Sequence, residues 1–172
     1  MLWKLKLLWY GADRAAIVFA LFFGGVVGAL VFALSTVYAH RDDKAAQLRE
    51  FHMRSVECLA RNVYYEARGE PKAGQYAVAE VTMNRKSSPR YPKTVCEVVY
   101  QKEAFSWTTL GPLEPPAGTA WHHAVRVAED VYYQRRPTTM HGVTHFHATY
   151  VSPEWSKERR RVAQIGRHVF YR

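Results

Sequence analysis

From Ala15 to Ala39 the chain runs for 25 residues without a charged side chain, and on both sides of that run polar positions return at once. As a helix rising about 1.5 Å per residue the run spans roughly 38 Å, more than the roughly 30 Å of bilayer hydrocarbon, which predicts one membrane-spanning helix over residues 15–39. Residues 1–14 place Trp3, Trp9 and Tyr10 beside Lys4 and Lys6 and read as an interfacial cytoplasmic segment. Residues 40–54 are charge-rich and free of glycine and proline, as a short juxtamembrane linker or a helical extension would be. From residue 55 the spacing is that of a globular domain. Ser55 is placed to cap a helix whose apolar positions Val56, Leu59, Ala60, Val63 and Tyr64 recur up to Gly69. Pro71 is placed to open a second helix to about Arg85, with Ala77, Val78, Val81 and Met83 inward. A short helix over Thr94–Gln101, a loop over 111–118 and a helix from a Thr119 cap to about Gln134 follow. Val143–Ala148 alternates as a strand does, and Val169–Tyr171 reads as a second extended piece. The pattern therefore predicts an α+β domain over 55–172, mainly helical with a small antiparallel sheet, behind one transmembrane helix.

A cleaved secretory signal is the competing reading of the N-terminal run, because Val37-Tyr38-Ala39 offers small residues before His40-Arg41. Cleavable apolar cores measure about 7 to 15 residues, so the length favours an uncleaved signal-anchor. Either way the domain is exported. Flanking basic residues do not set the orientation alone, since Lys4, Lys6 and Arg14 on one side meet Arg41, Lys44, Arg49 and Arg54 on the other. The two cysteines, Cys58 and Cys96, both lie in the domain; in an oxidising compartment they are expected to form a disulfide, with two buried thiols as the alternative. Of the formal charge of +9, a surplus of six remains after residue 56, where 17 basic side chains face 11 acidic ones. A basic exported domain meets acidic envelope polymer or lipid head groups, and nucleic acid is not an expected partner.

The candidate chemistry centres on Tyr64-Tyr65-Glu66-Ala67-Arg68-Gly69-Glu70. Glu66 stands among aromatic and apolar neighbours beside a glycine break, a setting in which a carboxyl stays protonated near neutral pH and serves as an acid. Arg68 lowers the pKa of a close carboxylate, which points to Glu70 as its ion-pair partner and leaves Glu66 as the buried acid.

Several stretches taken together resemble one known family. Tyr65-Glu66-Ala67-Arg68-Gly69-Glu70, Gly74-Gln75-Tyr76-Ala77-Val78-Ala79, Asn84-Arg85, Phe105-Ser106-Trp107, Thr144-His145-Phe146, Pro153-Glu154-Trp155 and Ile165 to Tyr171 look like the cell wall hydrolase family of the spore cortex-lytic enzyme (SleB) type, in order over about 57–172. The resemblance implies a lysozyme-like fold and action on peptidoglycan glycan strands at N-acetylmuramic acid linkages. It makes Glu66 the catalytic acid and then base of a lytic transglycosylase, with Glu70, Phe105, Ser106, Trp107, Thr144 and Tyr150 as candidates for substrate binding. No cofactor and no metal is implied. With the apolar run, it places the protein in a bacterial inner membrane, the domain on the periplasmic or outer side. A hydrolase would need a partner carboxylate such as Glu70, Glu80 or Glu103, and none is compelling in the sequence. The membrane anchor departs from the secreted spore enzyme.

Two other classes fit parts of the pattern. His145 and His147 share a strand face and, with His141, His168 or His122-His123, would build a divalent-metal hydrolase, although no HExxH is present. A membrane-tethered glycan-binding module without activity is the third, against which stands the presence of Glu66.

Overall fold

A computed structural model describes the chain from Leu2 to Arg172, with side chains from Arg14 onward, so the expected interfacial Trp3, Trp9 and Tyr10 side chains lie outside the described residues. The chain divides into two compact units, Met1–Arg49 and Glu50–Arg172. Helix α1 (Leu2–Ala67) runs through the boundary, its residues 50–67 belonging to the second unit.

In the first unit the large apolar side chains from Ile17 to Tyr38 are exposed. The helix is long and apolar enough to cross a membrane, by length and composition. The hydroxyls of Ser35 and Thr36 donate to the carbonyls of Phe32 and Ala33, each at 2.8 Å, which satisfies them within the helix.

Residues 40–54 form a helical extension, the second of the two readings, and Ser55, expected to start a helix, lies inside one. Its Oγ donates back to the Phe51 carbonyl at 2.8 Å instead of capping free N–H groups. The physical reason is that neither glycine nor proline occurs between Gly28 and Gly69, while Glu50–Arg54 and Glu57–Arg61 pair at i,i+4. The helix ends where Gly69 and Pro71 stop it.

Helix α2 (Lys72–Ser87) opens behind Pro71 as its N-cap residue. It is buried nearly all round: Ala79 faces one apolar cluster and Ala77, Val78 and Val81 face another. The first cluster joins Leu59, Val63 and Tyr64 of α1 to Val95 and Val99 of α3 (Val95–Val99) and to Ala124, Val127 and Ala128 of α4 (Gly118–Tyr132). The second joins α2 to Met140, Val143 and Phe170. Thr94 caps α3 through a reciprocal capping box with Glu97. Thr119 does not cap α4; the N-cap is Ala117, and the turn into the helix is made by Gly118 at φ +68°. Cys58 and Cys96 form a disulfide that ties α1 to α3.

Three antiparallel strands close the domain in the order β1-β3-β2, with β1 His145–Ala148, β2 Arg161–Ile165 and β3 His168–Tyr171. Central β3 is buried throughout, and its Phe170 pairs with Phe146 of β1. Strand β2 carries no apolar alternation strong enough to predict it, because as an edge strand it exposes Arg161, Val162 and Gln164.

Candidate active site

Glu66 occupies the last turn of α1, immediately before the Gly69 break, and faces a cavity of about 440 Å³. Burial raises its pKa to about 7, against which the Arg85 charge acts only in part. At neutral pH the group is therefore poised between acid and base, where proton transfer in both directions is most effective. Among the described residues lining this cavity Glu66 is the one carboxylate.

The far wall comes from β1 and β3, and its placement traces to three polar side chains of α2. Glu80 accepts from the backbone N–H groups of Thr139 and Met140 at 2.8 and 2.7 Å. Asn84 donates to the carbonyls of Met140 and Val143, and Arg85 donates through Nε to the Thr144 carbonyl at 2.7 Å. These bonds fix the segment entering β1, so Phe146, His147 and Ala148 reach the cavity. His147 has a defined tautomer. A carbonyl oxygen only accepts, so Nδ1 carries the proton shared with Ala148 O at 2.9 Å; in the neutral ring Nε2 then accepts from the Tyr171 hydroxyl at 2.8 Å. His168 also lines the cavity, buried, with Nδ1 lacking a partner among the described residues. Burial lowers its pKa; Glu70 acts in the opposite sense.

Arg85 is 8% exposed, and its guanidinium lies 4.9 Å from the Phe105 ring and 5.6 Å from the Tyr91 ring. Burial lowers its pKa, with Tyr91 and Glu66 acting to raise it. Sequence reasoning did not select Arg85 as a site residue. The available signal was its position in the buried stripe Ala77, Val78, Val81, Arg85, a charge where the helical period calls for an apolar side chain.

The expected substrate-binding residues separate into two groups. Phe105, Ser106 and Tyr150 line the Glu66 cavity, Phe105 buried beneath Arg85 and Tyr150 at the rim with 82% exposure. Glu70, Trp107 and Thr144 are not among its lining residues. Glu70 is held by Arg167, not by Arg68 as the sequence suggested; Arg68 lies over the Tyr64 ring at 4.8 Å. Proximity in sequence misled here, because the hairpin turn brings Arg167 to Glu70 across 97 positions. Trp107 stacks on Tyr65 at 4.7 Å and donates Nε1–H to Asn62 at 2.9 Å, so it backs the cavity wall instead of forming it. Thr144 is buried and serves through its carbonyl to Arg85 and its hydroxyl to His145.

The remaining carboxylates weighed in the sequence lie elsewhere: Glu80 is committed to the Thr139–Met140 loop, and Glu103 lines a neighbouring cavity beside Lys102. His145 and His147 do share a strand face, both rings packing on Trp155. Among the described residues no cluster of three or more His, Cys, Asp or Glu side chains is placed to hold a metal ion.

Fold and site together define a small α+β domain presenting one half-buried carboxylic acid, raised to about 7, in an open aromatic and imidazole-walled cleft. The chain belongs to the Cell Wall Hydrolase family, which matches residues 69–171 and so begins three residues after Glu66. It is 32% identical over 127 residues to the spore cortex-lytic enzyme of Bacillus subtilis, an alignment covering 70% of this chain and 38% of that protein. To the spore cortex-lytic enzyme of Halalkalibacterium halodurans it is 34% identical over 116 residues, covering 67% and 34%. The chain thus spans little more than a third of the length of these relatives. Among solved structures it is similar to the catalytic domain of the Bacillus cereus SleB protein, with a TM-score of 0.57 at 27% identity over 70% of this chain and 91% of that one. It is also similar to the catalytic domain of the germination-specific lytic transglycosylase SleB from Bacillus anthracis, with a TM-score of 0.55 at 27% identity over 69% and 93%.

Proposed function

We propose that this protein is a peptidoglycan-cleaving enzyme that cuts glycan strands at N-acetylmuramic acid linkages as a lytic transglycosylase, with Glu66 as its single acid and base on a lysozyme-like domain. The observation that carries the reading is the Glu66 carboxyl itself, lifted by burial to about 7 and lining a cleft. Protonated Glu66 gives its proton to the glycosidic oxygen as the bond from the muramic acid C1 to that oxygen breaks. The resulting carboxylate then takes the proton from the C6 hydroxyl of the same sugar while that oxygen bonds to C1 and closes a 1,6-anhydro ring. One carboxyl thus serves both half-steps, and no water is consumed. This route suits a cleft whose lining holds one carboxylate among the described residues, since a hydrolase of the usual kind needs a second to activate water or bond the sugar.

Membership of the Cell Wall Hydrolase family supports the substrate class. Residues 15–39 fit a single membrane-spanning anchor by length and composition, which would hold the domain on the outer face of a bacterial inner membrane, within reach of the wall. Phe105, Ser106 and Tyr150 are then the groove residues available to sugar rings.

The test is Glu66→Gln in the full chain, assayed on purified sacculi with mass spectrometry of soluble muropeptides. Loss of all soluble product with wall binding retained supports the reading, and undiminished release overturns the role of Glu66. In the wild-type digest, products lighter by about 18 Da than their hydrolysed counterparts mark transglycosylation, because no water enters.

A further inference from the structure

Beside the Glu66 cavity lies a second one of about 490 Å³, which shares Arg85, Ala104 and Phe146 with it, so that the two are lobes of one cleft. Its character is different. It is lined by Arg85, Lys102, His145, Trp155 and Arg159, with Glu103 as the one carboxylate among its described lining residues. Glu103 stands 4.0 Å from Lys102, both of them largely exposed, and that pair is close to neutral.

The other two cations form no ion pair among the described residues, although the Glu66 carboxyl of the neighbouring lobe acts on Arg85 through its charge. Arg85 is buried, and its hydrogen bonds run to the backbone carbonyls of Thr144 and Ala104, which orient the guanidinium without neutralising it. Arg159 is half-buried and forms no ion pair among the described residues. A buried guanidinium hydrogen-bonded to carbonyls alone, whose acidic counterpart Glu66 is itself raised to about 7, leaves room for a closer opposite charge. His145 lies on the same wall, held down to about 4 by burial and by the charges of Arg159, Arg85 and Arg90. The lobe is therefore positive while its imidazole is neutral, and its walls supply planar donors suited to a carboxylate.

In a stem-bearing glycan strand the two amino sugars are themselves uncharged, the lactyl carboxyl being tied up as an amide, and offer such a lobe nothing. Its muramic acid, however, carries a lactyl ether from which the peptide stem hangs, and the stem is where the carboxylates are. The cleaved bond is at C1 of that sugar, so the stem projects from the ring seated closest to Glu66.

We propose that the lobe between Arg85 and Arg159 binds a carboxylate of the peptide stem, and that the enzyme accordingly selects stem-bearing over stripped glycan strands. This rests on the assignment of peptidoglycan as substrate. Arg159, standing outside the Glu66 lobe, is the residue that sets the preference.

The experiment compares three substrates for the purified full chain: intact stem-bearing strands, strands stripped of stems by an amidase whose freed lactyl carboxyls are then capped as carboxamides, and stem-bearing strands whose carboxylates have been converted to carboxamides. Cleavage is read as kcat/KM, and binding is read separately with the Glu66→Gln variant. Stem-bearing strands are expected to be favoured by roughly tenfold or more, the order of one charge-assisted hydrogen-bonded pair, with the amidated strands behaving like the stripped ones. Arg159→Gln is expected to bring that ratio towards one. Arg126→Gln removes an exposed cation on α4, remote in role from either lobe, and is expected to leave the ratio where it was.

Equal treatment of all three substrates by the wild type overturns the proposal, as does an Arg159→Gln variant that keeps the wild-type ratio. If no strand is cut while binding still depends on stem carboxylates, the cleavage assignment fails and the subsite stands.

Discussion

Arg167 donates its backbone N–H and its Nε–H to the two oxygens of the Glu70 carboxylate, each at 2.8 Å. Burial alone would push this carboxyl up, but the hydrogen bonds from Arg167 outweigh it and hold the group below its usual value. The clamp joins the start of α2 to the hairpin between β2 and β3, whose two-residue turn is Gly166-Arg167. Gly166 is required twice over: its φ is +57°, and an added Cβ would stand 2.0 Å from Glu70 Oε2 and 2.8 Å from Pro71 Cδ. Gly166→Ala is therefore expected to cost about 2 kcal/mol or more, and Glu70→Ala about 2 kcal/mol, as lost hydrogen bonds to a charged group. Thermal unfolding of the two variants checks this. Since folding lowers the Glu70 pKa, the stabilisation is complete above the unfolded value near 4.3 and fades as pH falls through the folded one. The stability gap between wild type and Glu70→Gln is expected to narrow on acidification from about pH 6 to about pH 3.

Much of this arrangement is readable in the chain, for reasons that differ by element. Helices α2 and α3 carry local chemistry at their starts, Pro71 before the one and the Thr94–Glu97 capping box on the other. Glu66 is legible as a shielded carboxyl from its aromatic and apolar sequence neighbours, whereas Arg85, Phe105 and the β1 and β3 residues that complete its cavity come from distant positions. Glu70 is not, since its partner arrives from position 167, and strand β2 is not, since an edge strand needs no apolar face. Trp107 illustrates a further limit. Its aromatic character suits a sugar platform and a packing wedge equally, and the choice between them depends on Asn62 and Tyr65, far away in sequence.

The titration of Glu66 gives a prediction with a fixed sign. If its protonated form delivers the first proton, kcat/KM is expected to fall about tenfold per pH unit above about 7, the value to which burial raises the group. A raised carboxyl pKa also means that folding disfavours the ionised form. Stability therefore declines as pH rises from the usual 4.5 towards about 7, and is level beyond, by at most about 3 kcal/mol. Glu66→Gln, which cannot ionise, is expected to be more stable than wild type at pH 8 and equal to it near pH 4. Denaturant unfolding at the two pH values measures the difference; a variant no more stable at pH 8 would contradict a desolvated acid.

The Cys58–Cys96 bridge closes a loop with a sequence separation of 38, joining α1 to α3 across the first apolar cluster. Loop-closure entropy for that length amounts to about 4 kcal/mol. Cys58→Ser with Cys96→Ser, or reduction of the wild type, is expected to lower unfolding stability by an amount of that order, about 2 to 4 kcal/mol. Comparison of melting temperatures with and without reductant provides the measurement, and the double variant should be insensitive to reductant.

A chain of hydrogen bonds runs inward from the edge of the cleft: Trp107 Nε1–H to Asn62 Oδ1 at 2.9 Å, Asn62 Nδ2–H to Thr82 Oγ1 at 3.0 Å, and Thr82 Oγ1–H to the Val78 carbonyl at 3.1 Å. Asn62 and Thr82 are both fully buried, so each depends on these partners for satisfaction. Trp107 meanwhile stacks on Tyr65, whose hydroxyl donates to the Glu114 carbonyl at 2.9 Å and whose ring lines the Glu66 cavity. Trp107→Phe keeps an aromatic ring behind Tyr65 but strands the Asn62 carbonyl oxygen without a donor. Its expected cost is about 1 to 3 kcal/mol of stability. Because Trp107 supports the wall and does not line it, KM for glycan strands should change little while unfolding stability drops. A Trp107→Phe variant with wild-type stability and a sharply raised KM would instead place the indole in direct contact with sugar.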